Sequence, residues 1–584
     1  MLTTWSETQS SDLPFPEYPR PQMVRSQWVN LNGVWQAAFS KSEFRPDAFD
    51  LSITVPFSPE SSLSGVNRIL QPDLFLWYRR TFLYHCPQPE ADGRSPRTLL
   101  HFGAVDQCAS VWLNGVLLGD HTGGYLPFSF DCTDLLSDGI NELLVRVTDV
   151  TDTAWHSRGK QSLHPGGIWY TPQSGIWQTV WMETVPADFI RSLHITPQFD
   201  ASAVEITVKA ESSDLPCTIY LEDGRVIKGA SNQPIRILMP NFQPWSPEQP
   251  FLYGCEITLG SDRVSGYFAM RKFSTGLDSA GVPRLFLNNR PYFHNGVLDQ
   301  GYWPDGLYTA PTDAAMVDDI LLMKRMGFNM LRKHIKIEPL RWYYHCDRLG
   351  MLVWQDMING GGRYRPFSIS APLVLGNRHR DSDYSYFSRQ DAEGRAQYRH
   401  ELEGMIRHLY NCPCIAMWVP FNEGWGQFDA TEAVQQIRAL DVTRTIDHAS
   451  GWHDQGAGDV RSLHVYFKAY HFRRDRRGRA VVLSEFGGYS HRVPNHCFSE
   501  QEFGYKRLKT PGRLLSSYAR LYLKQIVPAI THGLSAAVYT QLSDVEQETN
   551  GFITYDRKVV KLPEGAVRSL NNRLMEAFFR VSHM

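Results

Sequence analysis

The sequence predicts two β-sandwich domains followed by a (β/α)8 barrel, and three observations support this fold class. A chain of 584 residues is too long for a single hydrophobic core, so two to four domains are expected. Up to about residue 275, short strand-like runs alternate with turn residues. From residue 276, strands alternate with helices, which is typical of parallel strands joined by helical crossovers.

Composition and charge exclude several classes of protein. The formal net charge of −2 gives no electrostatic reason to expect nucleic acid or an anionic membrane as a partner. No apolar run approaches the length of a membrane span, and the amino terminus has neither a basic start nor an apolar segment. The nine cysteines show no metal-binding spacing, which predicts reduced thiols in a cytoplasmic protein with no metal and no cofactor.

Residues 1–185 and 186–275 form two strand-rich blocks. In the first block, runs such as 99–102 are separated by turn pairs such as Asn114-Gly115, and their regular spacing predicts a two-sheet sandwich. The second block contains similar runs, for example 204–209. It offers no catalytic constellation, so we expect it to hold the other two domains in register.

Residues 276–584 carry the pattern of the barrel. Thr312 or Asp313 can cap the first helix, and Gly350 can end the second. The eight predicted strands end at Leu298, His334, Gln355, Phe421, His448, Phe467, Leu483 and Thr540. The active site of such a barrel lies at the carboxyl ends of its strands.

Two of these strand ends carry a glutamate followed by glycine. The apolar run 414–421 stops at Asn422-Glu423-Gly424, and the run 480–483 ends in Ser484-Glu485. Each stretch alone also fits an ordinary loop cap. Together, two glutamates that face each other across a barrel mouth can cleave a glycosidic bond, one as acid and base and the other as nucleophile.

Five phrases in the first block resemble a known family. They lie, in order, at 31–35, 77–82, 111–115, 123–131 and 174–181. Together they resemble the sugar-binding jelly-roll domain of glycoside hydrolase family 2, the family of β-galactosidases, β-glucuronidases and β-mannosidases. The segment 245–253 is similar to the family's signature in its immunoglobulin-like sandwich. The resemblance implies a jelly roll over 1–185, an immunoglobulin-like sandwich over 186–275 and a catalytic barrel over 276–584.

The resemblance also assigns roles to residues at the barrel mouth. Asn422-Glu423 matches the family's Asn-Glu pair, which makes Glu423 the acid/base, and Glu485 matches its nucleophile. This implies hydrolysis with retention, for which the two carboxyl groups are about 5–5.5 Å apart. We expect burial to raise the pKa of Glu423, and we expect Arg332 and Tyr466 to keep Glu485 ionised. Asn422 can bind the sugar 2-hydroxyl.

Five further residues near strand ends are candidate sugar contacts. Asp299 and Asp356 can each grip hydroxyls or pair with a barrel arginine. His334 comes two residues after the strand-two arginine, whereas the family commonly has its histidine three residues after it. Trp452 offers either a stacking surface or a packed rim. Tyr539 occupies the position at which the family usually presents a tryptophan floor.

The expected activity is removal of a terminal β-linked sugar from an oligosaccharide or other glycoside, with a β-galactoside as the first choice. β-Glucuronidases resemble one another in an Asn-x-Lys that grips the uronic carboxylate, whereas this chain has Asn550-Gly551-Phe552. The β-glucuronidase, β-mannosidase and arabinosidase activities stay open, as does a carbohydrate-binding protein without turnover. A homo-oligomer also stays open.

Two irregular segments interrupt the barrel pattern. Residues 360–390 are rich in Gly, Arg, Tyr and Ser, and we expect this long loop to wall one side of the pocket. The basic run 473–479 lies between strands six and seven. We expect it to be a solvated loop rather than a site for a polyanion.

Overall fold

The computed structural model describes residues 1–7, 13–90, 93–365, 368 and 378–582. The predicted fold class is confirmed, since two β-rich blocks precede a barrel of eight parallel strands. Within the described ranges, no helix combines the length and the apolarity that crossing a membrane requires. All nine cysteines lie in these ranges, and none of them forms a disulfide.

The first block is a sandwich of two antiparallel sheets around one buried cluster. Trp35, Tyr78 and Val145 from one sheet pack in this cluster with Phe102 and Met182 from the other. One sheet contains, in spatial order, Leu51–Val55, Gly33–Ser40, Phe75–Tyr84, Gly139–Thr148, Cys108–Leu113 and Val116–Thr122. The other contains Trp28–Asn30, Val180–Val185, Arg97–Phe102 and Phe128–Asp131, and Val105–Asp106 pairs separately with Gly175–Ile176.

The second block has its own, mainly aliphatic core, which includes Ile206, Ile219 and Ile257. Its alternating burial along each strand is typical of sheets with one face on the core. A three-stranded sheet contains Ser192–Gln198, Ala203–Lys209 and Pro234–Leu238. A four-stranded sheet contains Val226–Ala230, Pro216–Leu221, Tyr253–Leu259 and Asp262–Phe268. A small sheet of Phe273–Leu277, Pro283–Leu287 and Arg290–Pro291 leads into the barrel.

The barrel strands are buried almost throughout, as expected for parallel strands covered on both faces. They are β1 (His294–Asp299), β2 (Met330–Lys333), β3 (Leu352–Asp356), β4 (Ile415–Val419), β5 (Thr445–Ile446), β6 (Val460–Val465), β7 (Ala480–Gly487) and β8 (Leu534–Thr540). Their spatial order is β5-β4-β3-β2-β1-β8-β7-β6. The ring nearly closes between β5 and β6, where the backbone amide of Asp459 donates to the carbonyl of Ile446 at 2.9 Å.

Helices cover much of the outside of the barrel. They are α1 (Asp313–Arg325), α2 (Leu340–Leu349), α3 (Ala392–Leu409), α4 (Ala430–Leu440), α5 (Pro511–Leu521), α6 (Val527–His532) and α7 (Glu564–Ser582). The Thr312 side chain caps α1 by accepting from the amide of Ala315 at 3.2 Å. Gly350 ends α2 in the left-handed region, as the sequence predicts.

Two helical features add detail to the sequence expectation. The helix predicted over 514–532 is present as one helical segment, in which a π-helical turn, Tyr522–Ile526, lies between α5 and α6. Pro528 lies just after this turn and has no amide hydrogen to donate, so a regular α-helical pattern is interrupted there. The long helix α7 was not predicted, although its apolar face packs against the barrel through Leu574 and Phe578.

The described segments on either side of β6 contain no helix. Residues 447–459 join β5 to β6, and residues 466–479 join β6 to β7, both as irregular backbone. One consequence is that the outer face of β6 has no helical cover from its own crossovers. The burial pattern of β6 alternates, in contrast to the uniformly buried β7.

Candidate active site

The structure brings the two predicted glutamates together at the carboxyl end of the barrel. Glu423 follows β4 and Glu485 lies in β7, and both side chains are buried. His464, in β6, lies between them: its Nδ1 atom is 2.7 Å from Glu423 Oε1 and 3.5 Å from Glu485 Oε2. One oxygen of each carboxylate and this nitrogen all lie within 4.8 Å of one another. Residues 62 positions apart in the chain therefore share one site.

Local backbone geometry fixes the position of Glu423. Its φ angle of 51° is in the left-handed region, which a side chain of this size rarely adopts. Two hydrogen bonds hold it there: its amide donates to the carbonyl of Ser450 at 2.9 Å, and its carbonyl accepts from Trp452 Nε1 at 2.9 Å. Gly424 follows with a φ of 74°, and a Cβ atom there would lie 2.6 Å from the His453 ring. The glycine is therefore required for close packing.

The protonation states of the two carboxyl groups are set mainly by burial. Burial raises the pKa of Glu423 to about 7, and the charge of Glu548 also raises it, whereas the charges of Lys160 and Arg332 lower it. At neutral pH a substantial fraction of Glu423 therefore holds a proton. Burial lowers the pKa of His464 to about 4, so its ring is neutral at the same pH.

Glu485 has two charge-stabilising donors. Burial raises the pKa of this carboxyl and the charge of Glu423 raises it too, while His464, Arg332 and the Tyr466 hydrogen bond lower it without cancelling the rise. Arg332 Nη1 donates to Glu485 Oε1 at 3.0 Å, and the hydroxyl of Tyr466 donates to Oε2. The Tyr466 hydroxyl also lies 3.0 Å from Thr540 Oγ1. These are the two donors that the sequence led us to expect.

Asn422 presents a free donor at the site. Its Oδ1 atom accepts from Arg332 Nη2 at 2.7 Å. Its Nδ2 atom is buried and has no hydrogen-bond partner among the described residues. A buried amide donor without a partner is costly, so a ligand hydroxyl is a suitable acceptor for it.

Three of the predicted sugar contacts are engaged by charged or polar neighbours within the barrel. Asp356 is fully buried, accepts from Arg332 at 3.0 Å and lies 2.8 Å from His334 Nδ1. Asp299 accepts from Lys333 Nζ at 2.6 Å, so its barrel cation is a lysine rather than an arginine. Each carboxylate therefore forms an ion pair inside the barrel, which is the alternative to gripping sugar hydroxyls that the sequence left open. Burial is the largest of the effects that keep the pKa of His334 well below its usual value.

Trp452 and Tyr539 differ in where they face. Trp452 packs its ring 5.3 Å from that of His464 and is 8% exposed, so it lies at the edge of the site. Tyr539 is 2% exposed, and its ring packs in the core against Phe486, Tyr518 and Phe552. The expectation that it replaces a tryptophan floor is not supported, because its contacts are those of a core side chain.

Sequence reasoning missed residues that approach the site from the first block. Lys160 is 5% exposed, and its Nζ atom lies 3.7 Å from Glu548 Oε2, which also accepts from the Tyr170 hydroxyl. No local pattern marks Lys160, because its role depends on how the first block docks on the barrel. His464 was also missed, although period-two alternation along strand six places it on the same face as Tyr466.

The long loop contributes where it is described. Phe387 packs against His453 at a ring distance of 5.0 Å, and Arg389 Nε donates to the carbonyl of Gly426 at 2.8 Å. This part of the loop therefore contacts the segment that follows Glu423. Residues 366–367 and 369–377, on which the rest of the expected pocket wall falls, lie outside the described residues.

A barrel with a carboxyl pair at its mouth, preceded by two sandwiches, defines a glycoside hydrolase, and comparison with known proteins agrees. The family model of the glycosyl hydrolase 2 galactose-binding domain-like region matches residues 73–175, that of glycosyl hydrolases family 2 matches 189–271, and that of the family's TIM barrel domain matches 283–526. The chain belongs to glycosyl hydrolases family 2 and is a β-glycosidase.

Curated relatives have two different activities. The chain is 23% identical over 506 residues to a β-glucuronidase of Rattus norvegicus, covering 76% of this chain and 72% of the relative. It is 24% identical over 484 residues to a β-galactosidase of Klebsiella pneumoniae (strain 342), covering 74% of this chain but only 43% of that longer protein. These similarities alone do not separate the two sugars.

Solved structures share the fold over nearly the whole chain. A β-glucuronidase from an uncultured Clostridium sp. superposes with a TM-score of 0.71 at 18% identity, covering 97% of this chain and all of that one. A β-galacturonidase from Eisenbergiella tayi gives a TM-score of 0.70 at 18% identity, covering 95% and 98% of the two chains.

Proposed function

We propose that this protein is a retaining exo-β-glycosidase in which Glu423 is the acid/base and Glu485 the nucleophile. The observation that carries the proposal is the short separation of the two carboxylates, whose nearest described oxygens lie within 4.8 Å. This spacing fits direct attack on the sugar and leaves no room for the water that an inverting pair holds between its carboxyl groups.

The chemistry then divides between the two carboxyl groups. In the first step Glu423 gives its proton to the glycosidic oxygen while Glu485 attacks the anomeric carbon, so the glycosidic bond breaks and a glycosyl ester forms. In the second step Glu423, now a carboxylate, takes a proton from water, and the water oxygen displaces Glu485. Two inversions restore the β configuration.

The residues around Glu485 support this division. Arg332 and Tyr466 donate to its two oxygens, which favours the carboxylate that must attack and later leave. The unpartnered Nδ2 atom of Asn422 is a donor for the sugar 2-hydroxyl, and such a contact strengthens in the transition state.

For the terminal sugar we propose a neutral residue, with β-galactoside as the first choice. At the position of the Asn-x-Lys lysine, Phe552 is buried in the core. Two nearby cations are already engaged, since Arg557 pairs with Asp319 and Lys561 with Asp544. Glu548 adds a buried carboxylate close enough to influence Glu423, which disfavours a uronic carboxylate and suits sugar hydroxyls.

A β-glucuronidase is the second candidate, because Lys160 brings a cation near Glu423 and the Rattus norvegicus relative is named for that activity. The test is a panel of aryl β-glycosides, comprising galactoside, glucuronide, mannoside, glucoside and both arabinoside ring forms. Lys160→Met separates the candidates further, since it should impair a glucuronide far more than a galactoside. A glucuronide cleaved best by the wild type would overturn the proposal of a neutral sugar.

Retention and the nucleophile are tested separately. Proton NMR of the first product should show the β anomer, and a 2-deoxy-2-fluoro β-glycoside should label the peptide that contains Glu485. The Glu485→Gln variant is the matched control and should remain unlabelled. A first product in the α configuration would contradict retention, and a chain that binds sugars but cleaves none of the panel would be a binding protein.

A further inference from the structure

A cleft lies over β6, where the crossover that follows it carries no helix. Its volume is about 770 Å³, within the range of ligand-binding clefts. The loop 451–454, the strand residues 461–465 and the crossover residues 468–479 provide most of the lining. In a regular barrel a helix would cover this face.

The lining of the cleft is strongly basic. It contains eight cationic side chains and two carboxylates, although the whole chain has a formal charge of −2. The cations are Arg378, Arg461, Lys468, Arg473, Arg474, Arg476, Arg477 and Arg479, and the carboxylates are Asp454 and Asp475. Such a concentration of one charge creates a local field that attracts anions.

The carboxylates do not neutralise most of this charge. Arg479 donates to Asp454 at 2.8 Å and to Asp475 at 3.0 Å, and Arg378 donates to Asp454 at 2.9 Å. Lys468, Arg473, Arg474 and Arg476 are exposed and have no carboxylate partner among the described residues. Within the described ranges, Arg461 and Arg477 donate only to backbone carbonyls, so six positive charges in the lining are not neutralised by a carboxylate.

Two buried polar groups in the lining also lack partners. Tyr470 is 5% exposed and His453 is 1% exposed. The hydroxyl of Tyr470 and the Nε2 atom of His453 form no hydrogen bond with any described residue. Leaving such buried atoms without a partner is costly, so water or a ligand group is expected to complete their hydrogen bonding.

The cleft adjoins the acid/base side of the active site. Trp452 and His464 belong to its lining, and both contact Glu423, the first through the Glu423 carbonyl and the second through Oε1. The acid/base protonates the leaving group, so the part of a substrate beyond the broken bond departs on this side.

We propose that the cleft binds the leaving-group side of an acidic oligosaccharide, one that carries sulfate or carboxylate groups. The inference rests on the proposed function, since it makes the enzyme one that removes a terminal neutral sugar from an anionic glycan. Arg473, Arg474, Arg476 and Arg477 are exposed, as expected of a solvated loop, and the proposal adds an anion-binding role for this run because it lines the same cleft as β6. Guanidinium groups suit both anions through paired hydrogen bonds.

The test is calorimetric binding of three octasaccharides to the full chain: a heparin octasaccharide, octagalacturonate and neutral maltooctaose. The cleft variant is Arg474→Gln/Arg476→Gln. The control is Arg573→Gln/Arg580→Gln, which removes the same charge from two exposed arginines on α7 that do not line the cleft. We expect the acidic ligands to bind, the cleft variant to weaken them about three- to tenfold, and the control to bind like the wild type.

Salt dependence, the comparison of the two variants and the oligomeric state complete the test. Affinity for the acidic ligands should fall as salt rises, and binding of octagalacturonate, which carries carboxylates alone, would show that sulfate is not required. Equal weakening in both variants would show non-specific attraction, and no binding by the wild type would overturn the proposal. A dimer that dissociates in the cleft variant would make a second copy the occupant. Failure of aryl glycoside hydrolysis would refute the proposed function alone, because binding is measured without turnover.

Discussion

The pH dependence of the first chemical step should report the proton on Glu423. Burial raises the pKa of this group to about 7, and an acid catalyst works only while it holds its proton. Relative to its ordinary value of 4.5, this means that ionising Glu423 costs about 3 kcal/mol more in the site than in water. We therefore expect kcat/KM to fall on the basic side with a midpoint near pH 7.

The size of the effect follows from the protonated fraction. That fraction is about 91% at pH 6 and about 9% at pH 8, so kcat/KM for a phenyl β-glycoside should drop roughly tenfold between them. A dinitrophenyl β-glycoside is the control substrate, because its leaving group needs little protonation and the decline should be much smaller. The Glu423→Ala variant should lose the basic limb with the phenyl substrate.

Two results would refute this reasoning. A basic midpoint below about pH 5.5 would mean that burial does not raise the pKa of Glu423 as the structure indicates. An unchanged basic limb in Glu423→Ala would assign the titration to another group. Thermal unfolding measured at each pH separates loss of catalysis from loss of the folded state.

Further changes test the neighbours of the two carboxyl groups. Lys160→Met should move the basic limb to higher pH, because the charge of the lysine lowers the pKa of Glu423. Glu548→Gln should move the limb to lower pH, because the charge of the glutamate raises that pKa. Equal midpoints in the two variants would contradict this. Tyr466→Phe removes one of the two donors to Glu485 and should lower kcat about 10- to 100-fold, whereas a loss seen in KM alone would assign the tyrosine to substrate binding. Arg444→Met leaves Asp441 buried without its cation and should destabilise the fold by about 3–5 kcal/mol in denaturant unfolding, with little change in pH profile.

Much of the architecture could be predicted because local rules determine it. The turn pairs of the first block and the shift to alternating strands and helices after residue 276 predict the sandwiches and the barrel. Strand ends then point to Glu423 and Glu485, since the carboxyl ends of parallel strands meet at one mouth. The donors Arg332 and Tyr466 follow from the same rule.

The remaining features depend on contacts that spacing does not encode. Tyr539 is next to a residue at the mouth, but neighbouring strand residues face opposite sides, and the tyrosine faces the core. The π-helical turn just before Pro528 is a change of hydrogen-bonding pattern within the helix that apolar periodicity does not reveal. The basic run 473–479 is a loop by composition, and its approach to His464 depends on the absence of a helix over β6.

The position of Lys160 gives a physical reason for the first block to be part of the catalytic unit. This lysine lies about 260 residues before Glu423 in the chain, yet its charge opposes the effect of burial on the pKa of that group. Its partner Glu548 comes from the segment after β8 and acts in the opposite direction. The barrel therefore supplies the two carboxyl groups to which we assign the reaction, while the docking of the sandwich adjusts the pH at which Glu423 holds its proton. Any change that loosens this docking should shift the pH profile before it abolishes turnover.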